Sequence, residues 1–289
     1  AYDMSRPEGA FYLRNAAKDA KVVPNPENTL IPEHLSLKIL TTWLEVFVAA
    51  YDRLGLAKTD NFSFYAGKAP VPVKDPSILA ATFQEHLRTL KGSHRVVVRA
   101  FTEDIMVNFI FYHEKRPSAP LIIEDTLEIK PLWHRPAQQD FICYNTRTGH
   151  VEIEIGSRGE QLAIRKKFAE ACTGDAEHFE QSGSTAFLAL DTLLSPDFTL
   201  NPEMAILRRI ELELAQDEEP FFEIASQDVF KTIDRNELRS RFQGARVLFA
   251  ALALKLPGVA RPSVVELTAP NKISFPRSMH TETVFERLR

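Results

Sequence analysis

Residues 141–155 read Phe141-Ile142-Cys143-Tyr144-Asn145-Thr146-Arg147-Thr148-Gly149-His150-Val151-Glu152-Ile153-Glu154-Ile155. An apolar run of four residues meets a polar stretch bounded by Asn145 and Gly149, both residues that suit tight turns. Val151, Ile153 and Ile155 then alternate with Glu152 and Glu154. Two β-prone runs separated by such a turn predict a hairpin. Side chains alternate across a strand, so one face of the second strand is expected to be buried and the other wet. Upstream, the runs 94–99, 105–112 and 121–130 carry the same β signature. Their short connections favour an antiparallel meander, because parallel strands need long crossovers.

The chain on either side of this block reads differently. Residues 1–31 contain Pro24, Pro26 and the turn-favouring Asn25 and Asn28, and read as an irregular arm. Leu40, Trp43, Leu44, Phe47, Tyr51 and Leu54 recur at spacings of three and four, which predicts one helix over 32–54 stopped at Gly55. Residues 56–74, with Gly67, Pro70 and Pro72, read as a loop or an edge. Asp75-Pro76 suits a helix start, with Leu79, Phe83, Leu87 and Leu90 as its apolar face and Gly92 as its end. Ser157 and Glu160 have the capping-box spacing and open a helix expected to run to Cys172.

Residues 175–185 lack a period and contain Gly183, which marks a candidate domain boundary. Beyond it, 186–190, 206–214, 221–224 and 271–275 read as strands and 228–238 as a helix. Residues 246–254 and 264–268 read as a hairpin around Pro257-Gly258, and 281–288 as a short final helix. The expected fold class is therefore α+β: a helical N-terminal part, a mainly antiparallel sheet, and a second α+β portion after a boundary near 175. The expected domains are 1–173 and 174–289.

Composition bounds the function. The 289 residues are 44% hydrophobic and 26% charged, with 35 Lys+Arg against 39 Asp+Glu. A net charge of −4 gives no whole-molecule attraction to nucleic acid or anionic lipid. No apolar run reaches the roughly 18 residues of a spanning helix, and no secretory signal layout is present, so the expectation is a cytoplasmic protein with no membrane partner. Cys143 and Cys172 read as two free thiols. No C-x-x-C or C-x-x-H spacing exists, so no metal site is expected. With 11 glycines and no phosphate-cradling motif, no nucleotide cofactor is expected either.

Charge is nevertheless uneven. Residues 171–230 hold 13 acids and two bases, whereas 231–289 hold 11 bases and five acids. Arg235, Arg239, Arg241 and Arg246, with Lys272 and Arg277, form the candidate surface for an acidic partner such as a nucleic-acid backbone. Guanidinium forks suit phosphate oxygens. The competing reading is that the acidic and basic segments fold against each other.

Candidate catalytic groups are sparse. Glu128-Ile129-Lys130 is an E-x-K triplet on an expected strand, as used by metal-dependent nucleases in which carboxylates hold Mg²⁺ and a lysine supports the attacking water. Here Asp125 falls on the opposite strand face, and Asp104 lies in an expected turn. His113 beside Glu114 would be a general base with a carboxylate neighbour, but adjacent strand residues face opposite ways, so both read as polar turn residues. His134, between Trp133 and Arg135, reads as a strand end. Ser182-Gly183-Ser184-Thr185 lacks a nucleophile elbow and reads as linker. The resulting expectation is a non-enzymatic binding or assembly component with a protein or nucleic-acid partner. The alternatives are a metal-dependent phosphodiesterase using Glu128 and Lys130, and a purely structural subunit.

Overall fold

The computed structural model of the chain describes all residues except 1, 23–29, 92–94, 116–118, 124–127, 133–134, 156, 180–188, 196–197, 199, 215–220, 276–283 and 285–289. Its contacts define two compact units, one taking the chain up to Asp60 and the other taking Asn61–Phe275.

The first unit is helical. A 3-10 turn at Tyr2–Ser5 leads into α1 (Pro7–Asp19), followed by α2 (Pro32–Thr42) and α3 (Leu44–Lys58). Pro24, Asn25, Pro26 and Asn28 lie outside the described residues, and the expected irregular arm thus contains a 13-residue helix. Pro7 stands at its first turn, where a missing N–H costs nothing, and Ala10, Leu13 and Ala17 recur on its buried side. Gly9 is required there, because a Cβ would lie 2.4 Å from the Asp3 carbonyl. The single helix expected over 32–54 is broken at Trp43, whose backbone (φ −138°, ψ 68°) is non-helical. The break turns the apolar stripe: Leu35, Ile39, Phe47, Ala50 and Leu54 are buried with Met4 and Leu13, while Leu44 and Tyr51 are exposed. Gly55 lies inside α3 and does not end it.

The second unit is built on one ten-stranded sheet in which every neighbouring pair is antiparallel. Its elements are β1 (Asn61–Ala66), α4 (Pro76–Lys91), β2 (Val96–Glu103), β3 (Met106–Glu114), β4 (Leu121–Ile123), β5 (Ile129–Pro131), β6 (Ala137–Asn145), β7 (His150–Glu154), α5 (Arg158–Thr173), β8 (Ala205–Glu213), β9 (Phe221–Ala225), α6 (Val229–Arg235), β10 (Arg246–Leu254), β11 (Ser263–Thr268) and β12 (Lys272–Ser274). The strand order is β2-β3-β6-β7-β1-β12-β11-β10-β8-β9, with β4 and β5 in a separate two-stranded sheet. The α+β class holds. The predicted β6–β7 and β10–β11 pairs form, and Ser157 caps α5 by accepting from the Glu160 N–H.

β1 falls within the stretch expected to be a loop or an edge. It is a central strand, hydrogen-bonded to β7 on one side and β12 on the other. Because β1 joins both halves, the expected division at 173/174 falls between strands of one sheet. α4 and α5 cover one face of β2, β3, β6 and β7. Phe83, Leu87, Ile164 and Phe168 pack there on Val107, Phe109, Phe111, Ile142, Tyr144, Val151 and Ile153. The face of β7 expected to be wet is not: Glu152 is buried, level across the ladder with Phe64 and Cys143.

Among the described residues, no helix is long and apolar enough to cross a membrane, and neither Cys143 nor Cys172 is in a disulfide. Asp125, Trp133, His134, Ser182–Thr185, most of the strand expected at 186–190, Arg277 and nearly all of the expected final helix lie outside the described residues.

Candidate functional site

The basic segment begins at α6. Asp228 caps it by accepting from the Lys231 N–H at 3.3 Å, and the turns that follow lead to β10. Arg235 closes the helix and is exposed, as are Arg239 and Arg241 in the turns beyond. Arg239 grips Asp234 with both Nε and Nη2, the latter at 3.3 Å from Oδ2. That hydrogen bond holds the Asp234 carboxyl below the usual carboxylate range and raises the Arg239 guanidinium. Arg241 lies over the Phe222 ring, 5.0 Å from its centroid.

Arg246 and Lys272 stand elsewhere. Arg246 opens β10 and lies 3.8 Å from Glu213 of β8. Cross-strand register runs Glu211–Phe249–Thr268–Lys272, which puts Lys272, Arg209, Arg246, Glu211 and Glu213 on one face. Phe222, beneath Arg241, pairs with Leu212 and so belongs to the other face. Arg235, Arg239 and Arg241 thus fall in one helix-and-turn segment, whereas Arg246 and Lys272 stand on a sheet face. On that face Arg209 bridges Glu211 at 2.7 Å and Glu223 at 2.9 Å while resting over Phe249. Arg209 thus pairs within acidic β8–β9, and Arg246 at 3.8 Å from Glu213 is a charge contact from β10 to β8.

Glu128 precedes β5 and Lys130 lies within it. They form an ion pair of 2.8 Å, with side chains 61% and 51% exposed. Their hairpin stands outside the ten-stranded sheet. Among the described residues no group of three His, Cys, Asp or Glu side chains is placed to hold a metal ion.

Sequence reasoning missed a polar pair set into the sheet. His113 is a strand residue of β3, not a turn residue, and its Nε2 lies 2.7 Å from Oδ2 of Asp140 on β6. Asp140 is 1% exposed, and its other oxygen accepts from Gln138 Nε2 at 2.8 Å. His113 is directly opposite Gln138 and diagonal to Asp140, so the signal lay in the cross-strand register. Glu114, its sequence neighbour, binds Arg95 and Arg135 instead. Nearby, Lys91 hydrogen-bonds Glu160 and holds that carboxyl low, with smaller contributions from Ser157 and the His113 charge. A carboxylate-aligned imidazole is the arrangement of a general base. Here its partners lie within the sheet, and it ties β3 to β6.

No protein-family model matches the chain, and no curated protein matches it.

Proposed function

We propose that the protein is a non-enzymatic binding component that contacts a phosphate-bearing polyanion through Arg235, Arg239 and Arg241, with Lys231 beside them. One observation carries the reading: three exposed guanidinium groups fall within seven residues of one turn-rich segment. Pairing with a carboxylate does not disqualify them. An exposed ion pair contributes only about 0–1 kcal/mol, so Asp234 can yield Arg239 to a phosphate at little cost. Arg241 rests over the Phe222 ring, which restricts the guanidinium before any ligand arrives and lowers the ordering cost of binding. Arg246 and Lys272, on the sheet face, take a lesser part. Binding would neutralise charge and release counterions, without reading sequence.

Fluorescence anisotropy with a labelled duplex oligonucleotide tests this. Binding is expected at low salt, with a log–log salt slope of roughly −3 for three phosphate contacts. Arg235→Glu with Arg241→Glu is expected to abolish it, and Lys272→Glu to change it little. Absence of binding at low ionic strength, or an unchanged affinity in the double variant, refutes the reading.

A further inference from the structure

We infer that the β4–β5 hairpin is a self-association arm that pairs with β5 of a second copy of this chain. This inference is independent of the polyanion reading and rests on different residues.

The hairpin is unusual in what it exposes. Leu121 pairs with Pro131 and Ile123 with Ile129, so these four side chains share one face. Leu121, Ile123 and Ile129 are 72%, 71% and 65% exposed. A two-stranded hairpin is marginal in water by itself, and one that also offers three large aliphatic side chains to solvent is poorly stabilised without a partner. β5 is bonded to β4 on one side and forms the other edge of its two-stranded sheet.

The pattern along that edge selects the partner. The Leu132 N–H bonds the Pro120 carbonyl across the hairpin. By alternation, Ile129 turns its N–H and C=O toward the edge that no described strand covers, and Pro131, which has no N–H to leave unpaired, faces the same way. Two copies of β5 placed antiparallel about a two-fold axis at Ile129 then exchange both backbone hydrogen bonds between the two Ile129 residues. The same axis sets Glu128 opposite Lys130 of the second copy, and Lys130 opposite Glu128. The E-x-K triplet is thus complementary to itself, as an isologous contact requires, and opposite charges directly across an antiparallel pair are favourable. Within one chain the two groups already form a neutral pair, so two such pairs meet head to tail. Ile123, Ile129 and their counterparts fall into one cross-strand row, each shielding its neighbour's flank.

Sedimentation velocity on the full chain over a concentration series provides the test. The wild-type chain is expected to dimerise reversibly. Glu128→Lys sets two lysines against each other, Lys130→Glu sets two glutamates, and each is expected to weaken the dimer about tenfold or more. Mixed together, these two variants regain complementary edges and are expected to pair with near wild-type affinity. The double exchange within one chain should do the same. Far-UV circular dichroism of each variant checks that the fold is unchanged, as befits exposed positions. A chain that stays monomeric up to ~100 μM, a range that already includes weak transient association, would overturn the inference. So would single reversals that dimerise like the wild type, or a mixture that fails to rescue.

Discussion

Tyr144 and Cys172 show how burial sets the chemistry of single side chains. Burial pushes the Cys172 thiol up to about 12 from an ordinary value of 9.0, and burial likewise raises the Tyr144 phenol. Tyr144 keeps its hydroxyl paired by accepting from the Val71 N–H at 2.6 Å and donating to the Val71 carbonyl at 3.1 Å. For both groups the folded state holds the proton more tightly than the unfolded state does. The stability Cys172 contributes is therefore complete below about pH 9 and is lost as the pH climbs toward 12, and that of Tyr144 is likewise lost on the alkaline side. The melting temperature is expected to fall steadily above pH 9. Cys172→Ala, which removes one of the two titrations, should flatten that fall measurably in a thermal melt series. Native Cys172 should also resist alkylation at pH 8 until the chain unfolds, because the thiolate is the reactive form. Rapid labelling of the native protein at that pH would contradict the assignment.

At the scale of elements, α5 shows what was legible and why. Its start was readable, because Ser157 and Glu160 encode a local hydrogen bond needing no distant partner. Its end fell within a residue or two of Cys172, where Gly174 adopts φ +76°. Phe168 is the centre of its buried side, touching Phe83, Phe109, Tyr144 and Phe179 edge-on or stacked. Phe168→Ala is expected to cost about 3–5 kcal/mol. Leu162→Ala, on the exposed side of the same helix, should cost little. Equal losses in urea denaturation would mean that α5 is not seated on the sheet as described. β1 was illegible for the opposite reason. Its six residues lie beside Gly67, Pro70 and Pro72, and only the distant β7 and β12 make them a central strand. Gly67 has the room of a glycine because Gly149 and His178 crowd it from 82 and 111 residues away in sequence. The His113–Asp140 pair was hidden in the same way, since register between β3 and β6 cannot be read from either strand alone. The basic segment was legible as composition, but the face Arg246 occupies depends on its register with Glu213 of β8 beside a β-bulge.

For the whole molecule, the decisive fact is that β1, early in the second unit, is among the described residues the only strand joining the β2–β3–β6–β7 half to the β8–β12 half of the sheet. The composition changes near residue 174, where an acidic stretch begins, yet hydrogen bonding continues through β7–β1–β12. Cutting the chain there would strip β12 of β1. β12 spans only Lys272–Ser274, too short to protect the edge it would become. The buried row of Ile273, Leu267, Ala250 and Ile210 would then run up to that edge. Unpaired apolar edges invite aggregation. A fragment of residues 61–275 is therefore expected to unfold in one cooperative transition, followed by far-UV circular dichroism in urea. A fragment of 174–289 is expected to give a broad, non-cooperative transition or to aggregate. A sharp transition in the shorter fragment would support 173/174 as a domain boundary. It would also show that α6 and the strands it covers supply enough burial to hold together without β1.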